Sequence, residues 1–180
     1  MEIRIAVPEK DAGQIQEIYQ YYVEHTAVTF EYKAPSQEEL KQRMHKTLQR
    51  YPYLVAEVEG KVAGYAYAGV FYDRSAYDWS AEMSVYVQKA IHSRGVGTAL
   101  YDRMEELLRR QNIVNLFACI THPNEESEHF HARKGYQRKA LFEKCGYKQG
   151  KWWDIVWMQK VITPNNKEPE PFQPFPRISW

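Results

Sequence analysis

Glu82, His131 and the glycine pair Gly95 and Gly97 are the residues of this chain whose types and spacing best suit chemistry. The pair lies in RSAYDWSAEMSVYVQKAIHSRGVGTAL, residues 74–100. That stretch reads as a half-buried strand, a short glycine-bearing loop and the start of a helix. Arg94, Gly95, Val96, Gly97 and Thr98 form the loop and first turn. Bare backbone N–H groups at a positive helix end suit an anion such as phosphate or pyrophosphate. Glu82, a strand's length away, supplies a carboxylate able to accept a proton. Asn124, Ser127 and His131 follow at i, i+3 and i+7, which puts them on one stripe of a helix. Asn offers both a donor and an acceptor, and His gives or takes a proton near neutral pH.

Each feature also has a plain structural reading. A G-x-G at a strand-to-helix junction serves as an ordinary cap. The segment is not a P-loop, because no Gly-Lys-Ser/Thr follows, nor a dinucleotide fingerprint, because the third glycine is missing. Alternation puts Met83 with Val85 and Val87, and Glu82 opposite with Ser84 and Tyr86. That face is either water or a cleft, and a cleft would raise the pKa of Glu82. Asn124 after Pro123 suits a helix N-cap. His122, His129 and His131 match no standard zinc spacing, so no metal is expected.

The elements that must hold these residues read as follows. Ile3, Ile5 and Val7 alternate as a first strand, and Pro8 and Asp11 punctuate. Ile15, Ile18, Tyr19 and Tyr22 recur at helical spacing. TAVTFEYKAPS is a loop or irregular strand. Ser36 with Glu39 forms a capping box for a helix through about Arg50. Tyr53–Glu59 and Lys61–Phe71 make a hairpin at Glu59-Gly60. Ala81–Val87 is a strand, Gly95–Arg110 a helix and Val114–Ile120 a buried strand. Asn124–Lys134 is a helix ended by Gly135, and Tyr136–Lys144 with Trp152–Val161 close the domain. The order predicts a mixed α/β (α+β) domain over 1–163. Residues 164–180, rich in proline, form a tail whose Phe172, Phe175 and Trp180 are free to dock.

The chain has 180 residues, a formal charge of +1 and two cysteines without a C-x-x-C pair. These values suit one domain, give no basic surplus for nucleic acid, and point to a reducing cytoplasm. No signal peptide or membrane span is expected.

Several ordered pieces carry a resemblance: TAVTFEYKAPS, RSAYDWSAEMSVYV, RGVGTALY, PNEESEHFHARKGY and GYKQGKWWDIVWMQK. Over Ile3 to Val161 the chain resembles the GNAT superfamily of acetyl-CoA-dependent N-acetyltransferases. Within it, the chain is most like the phosphinothricin and methionine sulfoximine or sulfone branch. The resemblance implies a GNAT fold, a mostly antiparallel mixed sheet with helices on both faces. It implies acetyl-CoA as co-substrate, a small amine as acceptor and a homodimer. Glu82 matches the general base and His131 the position of the family's acid. Arg94, Gly95, Val96, Gly97, Thr98 and Ala99 match the pyrophosphate loop. Val85, Tyr86 and Val87 match a bulged strand that pairs with the pantetheine arm and frees N–H groups for an oxyanion. Asn124 and Ser127 match the coenzyme side. Phe30, Arg74 and Tyr77 match the acceptor side. One departure is His92, where the family commonly has Gln or Arg. Two further readings keep the fold: a protein N-terminal acetyltransferase and a non-catalytic acyl-CoA-binding module.

Overall fold

The computed structural model describes residues 1–91, 95–164 and 167–180. His92 and Arg94 therefore lie outside the described residues. Chain order is β1 (Glu2–Ile5), α1 (Pro8–His25), α2 (Gln37–Leu48), β2 (Tyr53–Val58), β3 (Lys61–Val70) and β4 (Ser80–Val87). Then come α3 (Val96–Arg110), β5 (Asn115–His122), α4 (Glu125–Arg133), β6 (Gln137–Lys148) and β7 (Lys151–Val161). The strands form one sheet in the order β1-β2-β3-β4-β5-β7-β6. Every pairing is antiparallel except β4 with β5.

Alternation along the strands builds two apolar layers. Leu54, Ala56, Ala66, Met83, Leu116 and Val156 pack with Leu100, Met104 and Leu107 of α3. Tyr53, Val55 and Tyr65 face the other way, against Ile15, Tyr19 and Val23 of α1 and Met44 of α2. The capping box is present as expected: Ser36 Oγ accepts from the Glu39 N–H, and the Glu39 carboxylate accepts from the Ser36 N–H.

The first strand stops at Ile5, short of Val7. Pro8 opens α1 with its fixed φ, and Val7 is the N-cap. Asp11, expected as punctuation, is a buried member of the first helical turn. It accepts from the Val7 N–H at 2.7 Å and from the two terminal guanidinium nitrogens of Arg4 at 2.7 and 2.8 Å.

The proline-rich segment docks across the end of α3. Phe175 is buried, and Phe172 and Ile178 pack on the same core layer. The buried Gln111 side chain donates to the carbonyls of Arg50 and Gln173, and Arg103 stacks on Trp180.

Candidate active site

β4 follows β3 without interruption, from Gly64↔Val87 to Val70↔Ala81. Its ladder to β5 is short: Ser80↔Asn115, Ala81↔Leu116 and Glu82↔Phe117, where it ends. β5 instead stays paired with β7 as far as His122↔Asp154. Each strand follows its long antiparallel partner, and the twist between the two halves carries them apart beyond Glu82. The expected bulge in the Glu82 strand is therefore replaced by a splay. Backbone toward β5 is released by divergence, not by an extra residue in the β3 ladder.

The gap is a cleft. Met83, Ser84, Val85 and Tyr86 of β4 and Cys119, Ile120 and Thr121 of β5 line it, with Val28 of the α1–α2 loop. Tyr101, Asn124, Ser127 and His131 line it as well. α4 presents Asn124, Ser127 and His131 on one stripe because of their helical spacing. Asn124 is also the N-cap: its Oδ1 accepts from the Ser127 N–H at 3.1 Å.

α3 starts beside the end of β4. Gly95 caps it at φ 78°, ψ 1°, a left-handed conformation that favours glycine. Among the described residues no side chain caps this end. The Ala99 N–H donates back to the Gly95 carbonyl at 3.0 Å, so Ala99 has no amide to offer. The first-turn amides before it, Val96, Gly97 and Thr98, are those a helix leaves without an internal partner. Val96 itself is buried in the core, which fixes the turn. At Gly97 an added Cβ would meet Phe130 at 3.7 Å and Val87 at 3.8 Å, which is ordinary contact. Internal packing therefore does not require glycine there. A glycine costs a helix about 1 kcal/mol relative to alanine, so its use here keeps the backbone bare toward the outside.

Glu82 lies on the tyrosine-lined face, half buried, opposite Gly69 on β3 and Phe117 on β5. Burial raises its pKa above the ordinary carboxylate value. Cys119 across the gap, although part of its surface is exposed, has its thiol pushed up to about 12, mainly by desolvation and secondarily by the Glu82 carboxylate. That keeps it a thiol rather than a nucleophilic thiolate.

His131 is buried against Tyr101, which has no exposed surface. The His131 Nδ1 sits 2.8 Å from the Ser127 carbonyl, which only accepts, so Nδ1 carries the proton. The bare Nε2 accepts from the Tyr101 hydroxyl at 2.7 Å. Burial lowers the pKa of His131, so the neutral ring dominates at neutral pH. Sequence reasoning missed Tyr101. Its only signal was a phenol on a helix face otherwise filled by Leu100, Met104 and Leu107.

The residues expected on the acceptor side are brought less closely together. Tyr77 packs its ring on Phe71, which stacks on Phe117 at 3.9 Å and so reaches the register partner of Glu82. Arg74 is exposed, just before the short 3-10 turn Ser75–Tyr77, and its side chain makes no hydrogen bond among the described residues. Phe30 lies in the α1–α2 loop with its ring on Gly146 of β6. The same loop is tied to β5 by the Thr121 hydroxyl, which donates to the Ala27 carbonyl at 2.6 Å.

A family model described as Acetyltransferase (GNAT) domain matches residues 3–157. The chain belongs to the GNAT acetyltransferase family. Its mostly antiparallel sheet and four helices are the GNAT fold. It is 35% identical over 179 residues to a phosphinothricin N-acetyltransferase of Streptomyces viridochromogenes, covering 99% of this chain and 96% of that one. It is 32% identical over 160 residues to an L-methionine sulfoximine/L-methionine sulfone acetyltransferase of Salmonella typhimurium, covering 88% and 93%. Among solved structures it superposes, with a TM-score of 0.90, on a GNAT superfamily phosphinothricin acetyltransferase from Sinorhizobium meliloti in complex with AcCoA. That likeness is 31% identical and covers 94% of this chain and 92% of the other. Among the described residues, no helix is long and apolar enough to cross a membrane.

Proposed function

We propose that this acetyltransferase moves the acetyl group of acetyl-CoA to the amine of a small amino-acid-like acceptor, of the phosphinothricin, methionine sulfoximine or methionine sulfone kind. The observation that carries the reading is the open first turn of α3, with a glycine that packing does not need, beside a splayed strand and a half-buried carboxylate. The names of the relatives, at 35% and 32% identity, support the acceptor class.

In this reading the pyrophosphate of acetyl-CoA lies on the amides of residues 96–98, with Gly95 turning the chain and Arg94 contributing charge. The pantetheine arm follows β4 at Val85, Tyr86 and Val87 and meets Asn124 and Ser127 on α4. Glu82 takes the proton from the acceptor ammonium, directly or through water, because a protonated amine has no lone pair to attack with. The free amine adds to the thioester carbonyl, and β4 amides released by the splay steady the oxyanion. The thiolate then leaves and takes a proton. Neutral His131 has none on Nε2 to give, so its acid role runs through Tyr101. The Tyr101 hydroxyl gives its proton to sulfur, and the second proton of the acceptor nitrogen, shed as the intermediate collapses, returns through water to the Tyr101–His131 pair. One amine proton leaves through Glu82 to solvent and the other replaces the one given to sulfur, so an amide and a thiol form without a covalent enzyme intermediate.

On the acceptor side, Arg74 grips the carboxylate or phosphinate with its planar donors, Tyr77 adds a hydroxyl and Phe30 forms a wall. We further propose a homodimer in a cytoplasmic setting. Support for the dimer is the edge position of β6, with Leu141 42% and Phe142 51% exposed on it. Unpaired Cys119 and Cys145 support a reducing compartment. Light scattering at tens of micromolar should show the dimer, and a monomer there refutes it.

The test of function is thiol release from acetyl-CoA against an amine panel. The panel holds phosphinothricin, methionine sulfoximine, methionine sulfone, simple amines and an N-terminal alanine peptide. Faster turnover of simple amines or of the peptide defeats the acceptor class. No turnover of any amine defeats catalysis and leaves a coenzyme-binding module.

A further inference from the structure

A buried cation that the chemistry above does not use lies under the α1–α2 loop. Lys148, the last residue of β6, is 4% exposed, and its ammonium donates to the Thr29 carbonyl at 2.7 Å. Burial lowers its pKa, partly offset by the nearby Glu31 carboxylate. Two residues earlier, and so on the same face of the strand, Gly146 receives the ring of Phe30. A Cβ at Gly146 would stand 2.2 Å from Phe30 Cε2, closer than any real contact. The corner Thr29–Phe30 is thus held by two β6 residues: one grips its backbone and one leaves room for its ring.

Other bonds fix the rest of the loop. The Tyr19 hydroxyl meets Thr29 Oγ1 at 2.8 Å and Glu31 Oε1 at 2.9 Å, Arg43 pairs with Glu31, and the Tyr32 hydroxyl donates to the Tyr147 carbonyl. A loop whose only task is to join two helices does not need an ammonium buried beneath it. Carrying that charge out of water is costly, and an apolar side chain of like length is often neutral or stabilising in such a place.

We propose that Gly146 and Lys148 are positioning residues that set acceptor specificity by seating Phe30 as a wall of the acceptor site. The inference deepens the proposed function and rests on its placing of Phe30 beside the acceptor. It makes β6, an edge strand three places from the Glu82 strand in the sheet order, part of substrate selection.

The experiment uses the full chain, acetyl-CoA as donor, and phosphinothricin and methionine sulfoximine as acceptors. Lys148→Met keeps length and loses the donor. Gly146→Ala pushes the ring from the other side. Each should raise the acceptor KM about tenfold, the scale of one lost charge-assisted bond, with kcat and the acetyl-CoA KM within about twofold. Lys148→Arg, which still donates, should recover part of the loss. A purely structural role would instead move the melting temperature and leave the acceptor KM alone, and that result in either folded variant overturns the proposal. Should Lys148→Met fail to fold, Gly146→Ala decides by the same measure. Phe30→Ala separates the two levels. If it raises the acceptor KM while the β6 variants do not, the seat alone is wrong. If it too leaves the acceptor KM unchanged, or if the wild-type chain turns over neither acceptor, the reading of the acceptor site has failed and the seat falls with it.

Discussion

Replacing Glu82 by Gln should disable the enzyme and stabilise it at the same time. The carboxylate is half buried, and burial raises its pKa. A carboxyl whose folded pKa lies above its unfolded value is held best when protonated. Its contribution to stability is complete below the unfolded pKa, near 4.3, and is lost as pH rises through the folded value. At neutral pH the wild-type chain carries that penalty in full, and a neutral amide of the same shape does not. Each unit of upward shift corresponds to about 1.4 kcal/mol. For a chain of this length that is roughly 3–6 °C in melting temperature per unit. Glu82→Gln should therefore melt higher than wild type at pH 7–8, with the advantage vanishing below about pH 4. Turnover should fall by ~10²–10⁴-fold, because an amide cannot accept the ammonium proton, while coenzyme affinity holds. In wild type the acid limb of kcat/KM should lie above the ordinary carboxylate range, and the variant should lack it. Calorimetry and thiol release across pH 6–9 measure both halves. Wild-type turnover would remove Glu82 as the base. A melting temperature at pH 7–8 no higher than wild type would refute the burial argument.

Tyr101→Phe leaves His131 Nε2 buried without a donor, so the fold should lose about 1–3 kcal/mol and the rate ~10²-fold or more; normal kcat in a folded variant removes Tyr101 from the proton path. Gly97→Glu puts a side chain and a negative charge on the open turn of α3, and calorimetry should show coenzyme affinity falling by at least ~10-fold; unchanged affinity would exclude this turn as the phosphate site. Arg74→Ala should lower kcat/KM for amino-acid acceptors by about 10-fold or more and leave the acetyl-CoA KM unchanged; equal effects on acceptors with and without a carboxylate would make Arg74 an ordinary surface charge.

The parts readable from sequence were those written in local chemistry. Ser36 with Glu39 set the start of α2, Glu59-Gly60 set a hairpin, and Gly95 before Val96 set the turn into α3. The GNAT fold and family were legible because so many ordered pieces match at once. What escaped depends on residues far apart. The end of the β4–β5 ladder is decided by how long β5 stays with β7, so nothing near Glu82 announces a splay rather than a bulge. The Ser127 carbonyl sets the tautomer of His131 locally, but the hydroxyl that meets its bare Nε2 belongs to Tyr101, thirty residues earlier in the chain and on another helix. Val7 looked like strand because alternation outweighed the helix-starting proline beside it. Phe172 and Phe175 carry no period, so where they dock had no signal until Gln111 and Arg50 were in place.

The docking of residues 167–180 bears on how the chain folds. The Trp79 indole donates to the Glu170 carbonyl across 91 positions, Gln111 reaches Gln173 across 62, and the Phe175 N–H donates to the Arg50 carbonyl across a longer span still. Closing such loops costs entropy before any contact repays it, so these bonds belong to the slow end of assembly. During synthesis α1, α2 and the first four strands leave the ribosome well before their last partners exist. The end of α3 and the connection before β4 then wait with Arg50, Tyr51 and Trp79 uncovered. A chain lacking this segment exposes an aromatic and cationic seam at Arg50, Tyr51 and Trp79.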